Sequence, residues 1–145
     1  MANARPNVQA GCMSTRTPNV LLRNEESAGV VAVIEVASPP GFKGPPLHHH
    51  RFDEAFYVLE GELTFRLRDE VFTRRAGELA FAPHDVPHTY ANHSDAPARA
   101  LIICTPAGFE RYFARMRARR DGVEPPPWAL QDVPETIVVG PSLTS

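Results

Sequence analysis

Pro46-Leu47-His48-His49-His50-Arg51-Phe52-Asp53-Glu54, running on through Ala55-Phe56-Tyr57-Val58-Leu59-Glu60-Gly61, holds the densest chemistry in the chain. His48, His50 and Glu54 stand at even offsets. Side chains of an extended strand alternate faces, so this spacing predicts that all three project from one face of one sheet. His49, between two of them, should point away. Two imidazoles and a carboxylate on one side suit one divalent transition metal ion: Fe, Mn, Ni, Cu or Zn. A second segment, Gly77 to Asn92, supplies His88 as a fourth ligand. The competing reading is a solvated histidine run beside a surface acid. The spacing to Glu54 and the matching second segment favour the metal.

These two segments resemble the cupin family. Its first motif is a glycine, five residues, His-X-His, three or four residues, Glu, six residues and Gly. His48, His50, Glu54 and Gly61 keep that spacing, while Gly41 stands one residue too early. Its second motif is a glycine, five residues, Pro-X-Gly, two residues, His, three residues and Asn. Gly77, Pro83, His88 and Asn92 keep every interval, with Asp85 in place of the middle glycine. Aspartate tolerates the left-handed conformation of such a turn. The resemblance spans residues 41–92 and implies an all-β fold, the double-stranded β-helix or jelly-roll barrel, with a metal at its centre. Cupins range from oxygenases to isomerases to binding proteins, so fold is implied more firmly than activity.

A chain of 145 residues is of single-domain size and long enough to bury a core. A net charge of -2 gives no broad attraction to nucleic acid or to an anionic membrane. No apolar run approaches membrane-spanning length. Met1-Ala2-Asn3-Ala4-Arg5-Pro6 lacks an apolar signal core, so the expected location is cytoplasmic. Cys12 and Cys104 fit neither a CxxC site nor a disulfide framework and are expected to be reduced thiols.

Residues 1–18 are polar and proline-punctuated, an N-terminal arm; a barrel is expected over 19–105, and a helix and tail packing on it over 106–145. Val20-Leu21-Leu22-Arg23 and Val30 to Val36 read as strands, the second a β-branched run suited to burial. Ser38 to Pro46 reads as a loop that prolines hold extended. Leu63, Phe65 and Leu67 alternate with Thr64, Arg66 and Arg68, the pattern of a half-buried strand. Further strands follow at Val71–Arg74, Leu79–Ala82 and Ala98–Cys104, and the two motifs are expected in related places of opposing sheets. At Thr105 the period changes. Thr105-Pro106 reads as N-cap and first helical residue, and Phe109, Tyr112, Phe113 and Met116 form one apolar stripe to be buried on the barrel or on a neighbouring subunit. Arg111, Arg115, Arg117, Arg119 and Arg120 fill other positions, a solvated face rather than a nucleic-acid patch. Gly122 ends the helix, and Glu135 to Pro141 reads as an extended segment docking on the body. Helix and tail resemble the C-terminal extension of small bacterial cupins of the quercetin-dioxygenase-like type.

In six-fold geometry, three histidines and a glutamate leave about two positions for water, substrate or dioxygen. A redox metal there suits oxygenation of an enol or catechol; a redox-inert one polarises a carbonyl. No separate catalytic residue is identifiable. Phe56, Phe65, Tyr90 and Ile102 are candidates for the pocket lining, with His84 in the turn before His88. Such a lining suits a small apolar or aromatic molecule with an oxygen chelate. Two classes of function stand: a metal-dependent, dioxygenase-like oxidoreductase acting on a small aromatic or enolic compound, and a non-catalytic metal-containing cupin that binds a small molecule. A cupin isomerase or cyclase is a further alternative. A homodimer is expected, through the apolar N-terminal strands or the helix stripe, with no nucleic-acid or membrane partner.

Overall fold

A computed structural model describes residues 16–144. Cys12 and most of the expected N-terminal arm lie outside the described residues. The elements that position the site, among the described residues, are β1 (Asn19–Leu22), β2 (Ala32–Ser38), β3 (Pro46–His50), β4 (Asp53–Glu60), β5 (Glu62–Leu67), β6 (Glu70–Arg75), β7 (Leu79–Ala82), β8 (His88–Ala91), β9 (Ala98–Thr105), α1 (Glu110–Asp121) and β10 (Thr136–Ser142). The strands form two five-stranded sheets, in the orders β1-β2-β9-β4-β7 and β10-β3-β8-β5-β6, with antiparallel pairing throughout. The all-β jelly roll with a short C-terminal helix is therefore what the chain adopts.

Period-two patterning sorts each strand. Along β4, Glu54, Phe56 and Val58 are buried, and along β9, Ala98, Ala100, Ile102 and Cys104 are. They meet Leu63 and Phe65 of β5 across the interior, with Ile34 and Val36 of β2 closing one side. Glu60-Gly61-Glu62 makes the expected tight turn. Gly61 has φ 72°, and a Cβ there would stand 2.5 Å from the Pro97 carbonyl oxygen, so no larger residue fits. Gly44 is tighter still: its Cβ would fall 1.7 Å from the carbonyl oxygen of Tyr90, at φ 74°. The proline-rich loop can lie against β8 only because residue 44 is glycine. Asp85 has φ 63°, the left-handed conformation expected at that turn.

Several expectations change. Strand β2 begins at Ala32 rather than Val30, because the Ser27 hydroxyl donates to the Val31 carbonyl and accepts from its N–H, which ties Val31 back to the preceding turn. The helix begins at Glu110, not Pro106: Thr105 still pairs with Asp53 on β4, so the sheet ladder claims it. Glu110 organises the helix start instead. Its buried carboxylate accepts from the N–H groups of Asn24 (2.7 Å) and Gly108 (2.6 Å), which ties the first turn to the segment after β1. Arg119 and Arg120 are exposed as expected, but two other helical arginines are engaged by the chain. Arg115 donates to the Ala129 and Gln131 carbonyls and Arg111 to that of Asp132, so they clasp the returning tail. That tail then adds β10 to the edge of β3, with Thr136 opposite His50 and Val138 opposite His48. Among the described residues, no helix is long and apolar enough to cross a membrane.

Candidate metal centre

β3 and β8 lie side by side with His48 directly opposite His88, so the histidines of both sequence motifs sit in one sheet, not in opposing ones. Glu54 comes from the other sheet, where it pairs with Ala82 of β7 and Cys104 of β9. The expectation of one face of one sheet fails at Arg51-Phe52, where the chain bends and β4 starts in the facing sheet. Even spacing survives the corner because both strands turn their even residues inward. The carboxylate thus reaches the histidines across the barrel.

The ligand-capable nitrogens of His48, His50 and His88 all lie within 4.8 Å of one another, and all three residues are buried. Each ring is held by its other nitrogen. Nδ1–H of His48 donates to the Pro46 carbonyl (2.7 Å), that of His50 to Phe52 (2.9 Å) and that of His88 to Val86 (2.8 Å). Because a carbonyl only accepts, the neutral tautomer of each ring carries its lone pair on Nε2. Phe52 stacks on His50 with centroids 3.6 Å apart and planes 3° from parallel, fixing that ring further.

Burial drives the His88 imidazole down to about 4 and lowers His48 as well, so both rings are neutral near pH 7. His88 Nε2 then has no hydrogen-bond partner among the described residues. His50 Nε2 faces Glu54 Oε2 at 3.0 Å, and His88 Nε2 lies 3.9 Å from the same oxygen. Lone pairs that converge on a buried carboxylate call for a shared positive charge. A metal ion among the three Nε2 atoms would serve the whole cluster. Three imidazoles pre-oriented by carbonyls are a donor set that could hold such an ion.

A cavity of about 260 Å³ opens onto this cluster, with His48 and Glu54 in its wall. Tyr90 and Ile102 also line it, where the sequence placed them. Phe56 and Phe65 do not; they pack in the core on the far side of His88, around a void of about 10 Å³. His84 does not either. It is exposed in its turn, and Asp53 Oδ1 accepts from both its Nδ1–H (2.8 Å) and its backbone N–H (2.7 Å). His49 stands outside the cluster and faces Ile137 of the tail across the β3–β10 ladder. The remaining wall comes from Phe42, Gly44 and Pro45 of the proline loop and from the stripe Phe109, Tyr112, Phe113 and Met116, so the helix lies over the histidines. Phe52 and Phe42 were missed. The even position of Phe52 in the His48–Glu54 run was the available signal for it; none marked Phe42.

The family model described as "Cupin domain" matches residues 34–104. A curated relative named polyketide synthase CurC, from Streptomyces cyaneus, is 37% identical over 60 residues, covering 41% of this chain and 39% of that protein. The chain therefore spans well under two thirds of that relative's length. Among solved structures, TT1209 from Thermus thermophilus is 33% identical with a TM-score of 0.50, covering 54% of this chain and 74% of that one. A sugar phosphate isomerase of the cupin superfamily from Silicibacter pomeroyi is 31% identical with a TM-score of 0.50, covering 58% of this chain and 57% of that one. Two facing antiparallel sheets, the motif spacing and the family match agree: the chain belongs to the cupin superfamily.

Proposed function

We propose that this chain is a metal-dependent cupin oxygenase that holds one divalent transition metal through His48, His50, Glu54 and His88 and acts on a small aromatic or enolic compound bound by an oxygen chelate. The observation that carries the substrate class is the cavity wall. Besides His48, Glu54, Gly44 and Pro45 it is built from Phe42, Tyr90, Ile102, Phe109, Tyr112, Phe113 and Met116, and among the described residues no lysine or arginine lines it. Apart from the proposed metal, an anionic sugar phosphate would find no cationic side chain among the described residues there, whereas a flat apolar ring would find aromatic partners. When bound, a metal at this site would supply Lewis acidity and, if redox-active, electron transfer. The protein's own groups do the rest. Burial pushes the Tyr90 phenol up, so it stays protonated and can donate to a substrate oxygen. The helix aromatics exclude water from the reacting atoms. Glu54 is the one carboxylate among the described residues of the wall and would be the proton acceptor available to a substrate there.

A second reading, isomerisation or cyclisation without oxidation, is favoured by the resemblance to a protein named for polyketide synthesis. Poly-β-carbonyl chains enolise readily and chelate through paired oxygens, which needs only a Lewis acid. The test is elemental mass spectrometry of tag-free protein, followed by oxygen uptake with catechols and 1,3-diketones. Stoichiometric iron, manganese, nickel or copper with uptake supports oxygenation. Zinc without uptake, but with deuterium exchange between the two carbonyls, supports the second reading. Bound metal with neither leaves a binding protein, and no metal even after reconstitution overturns both.

We also propose a homodimer, through a surface other than the helix stripe, which the cavity already occupies. On the outward face of the first sheet, Val33, Ile103, Ala55 and Phe81 form one cross-strand row, and Leu101, Tyr57 and Leu79 extend the next. Tyr57, Leu79 and Phe81 are 37%, 48% and 50% exposed. Such a flat apolar face suits isologous pairing with a second copy. Size-exclusion chromatography with light scattering should find a dimer at micromolar concentration and a monomer for Leu79→Asp/Phe81→Asp; a monomeric wild type removes the claim.

A further inference from the structure

The histidine cavity is not the largest in the molecule. A second cavity, of about 480 Å³, lies between α1 and the end of β2 with its proline loop, walled by Val36, Ala37, Pro39, Pro40 and Pro97. Among the described residues, no histidine lines it. Phe42, Tyr90, Phe113 and Met116 appear in the walls of both cavities, so these four side chains are the partition between them.

Three of the four are held by ring packing. Phe42 leans on Tyr90 with centroids 6.0 Å apart, Tyr90 on Phe56 at 5.3 Å, and Phe113 meets Phe109 and Tyr112 edge-on at 5.4 Å each. Met116 has no ring, is 37% exposed, and carries the unbranched side chain best able to swing aside. Small-molecule sites run from about 300 to 1,000 Å³. The inner cavity alone falls short of that range, and the two joined fall within it. The charged group at the outer wall is already engaged: Arg120 donates to the Thr17 carbonyl and to Asp121. The outer chamber therefore suits an apolar group rather than a charged one.

We propose that the two cavities form one bipartite site: the inner one takes a chelating ring over His48 and Glu54, the outer one takes a second apolar ring of the same molecule, and Met116 is the gate between them. This rests on the proposed metal chelate and goes further, since it makes the substrate at least two rings long. Specificity for the second ring then resides in β2 and the proline loop, away from the metal.

The experiment is calorimetric titration of the zinc-loaded protein, redox-inert by choice of metal, with catechol and with 4-phenylcatechol. The chelating oxygens are the same and one ring is added. Burying that ring should make 4-phenylcatechol bind about tenfold tighter or better. Ala37→Trp and, independently, Pro40→Trp fill the outer chamber from its far wall. Either should erase that advantage while zinc stoichiometry and catechol affinity stay as in the wild type. Equal affinity of the two catechols, or an advantage that survives both tryptophans, overturns the bipartite site and leaves the chelate intact. If catechol fails to bind but 4-phenylcatechol does, with the tryptophans abolishing it, the chamber stands and the chelate falls. Binding of neither overturns both.

Discussion

Strand β3 and helix α1 wall the same cavity and are built to different tolerances. β3 is paired on both edges, with β8 on one side and β10 on the other, so the backbone beneath His48 and His50 has a partner in each direction. Each imidazole is then oriented by a carbonyl two residues away. α1 has no ladder. It is moored by the Glu110 carboxylate at its start and by arginines that grip the tail. Coordination fails when a donor is an ångström out of place, whereas an apolar ring displaced by that much still fills space. Rigid support thus lies beneath the candidate ligands, and the looser mooring belongs to the helix that, on the proposed function, would yield for a ligand to enter.

The largest effect that can break this contrast is on metal occupancy. His50→Ala or His88→Ala should reduce bound metal from near-stoichiometric to a few per cent by elemental mass spectrometry. The holo-protein's extra stability, about 2.7 kcal/mol when free metal is a hundredfold above its dissociation constant, should vanish with it. Phe109→Ala and His49→Ala should leave occupancy unchanged. If Phe109→Ala strips the metal as well, the helix is part of the coordination scaffold and the contrast is wrong.

Next in size is the mooring. Glu110→Ala leaves the Asn24 and Gly108 N–H groups without their acceptor in a buried setting, at a cost of about 2–4 kcal/mol. For a domain of this length that is a fall in melting temperature of roughly 5–10 °C. Metal content per folded molecule should stay as it was. Chemical denaturation gives the first quantity and mass spectrometry the second. A variant as stable as wild type would show that α1 is held by its apolar stripe alone.

The sequence makes the donors legible because alternation is a local rule. His48, His50 and Glu54 obey it wherever the strand goes, and His88 follows from the motif spacing. It does not disclose the corner at Arg51-Phe52, since a period-two argument assumes one continuous strand. Nor does it place the helix. Phe109, Tyr112, Phe113 and Met116 announce a face to be buried, but an amphipathic stripe specifies no partner, and a barrel mouth serves as well as a second subunit. The helix start shifts for a similar reason: Thr105-Pro106 is a fair cap locally, and only the long-range ladder to Asp53 overrules it. Phe56 and Phe65 have the right parity for the pocket but lie too deep, because parity gives the face of a sheet and not the depth along the barrel.

The smallest effect concerns His84, the one sequence-named candidate that the structure puts in solvent. Its side-chain hydrogen bond to Asp53 is the chief cause of its raised affinity for a proton, and the Asp53 charge adds to this. Asp53 is lowered in turn, first by the His84 backbone N–H and then by the ring. A raised histidine stabilises the fold below its ordinary value, and that contribution is lost as pH rises through the raised one. A lowered aspartate stabilises above its ordinary value, lost as pH falls through the depressed one. The pair therefore acts fully between about pH 4 and about pH 6.5. Both groups are solvent-exposed, so screening keeps the effect small. His84→Ala should lower the melting temperature slightly near about pH 5.5 and less near about pH 8.5, and metal content should be unchanged at either pH. A deficit that is equal at both pH values would mean that the ring supports its turn by packing, not by charge. A loss of metal would return His84 to the site, and the corner at Arg51-Phe52 would then have to be more mobile than the two-sided ladder beside it allows.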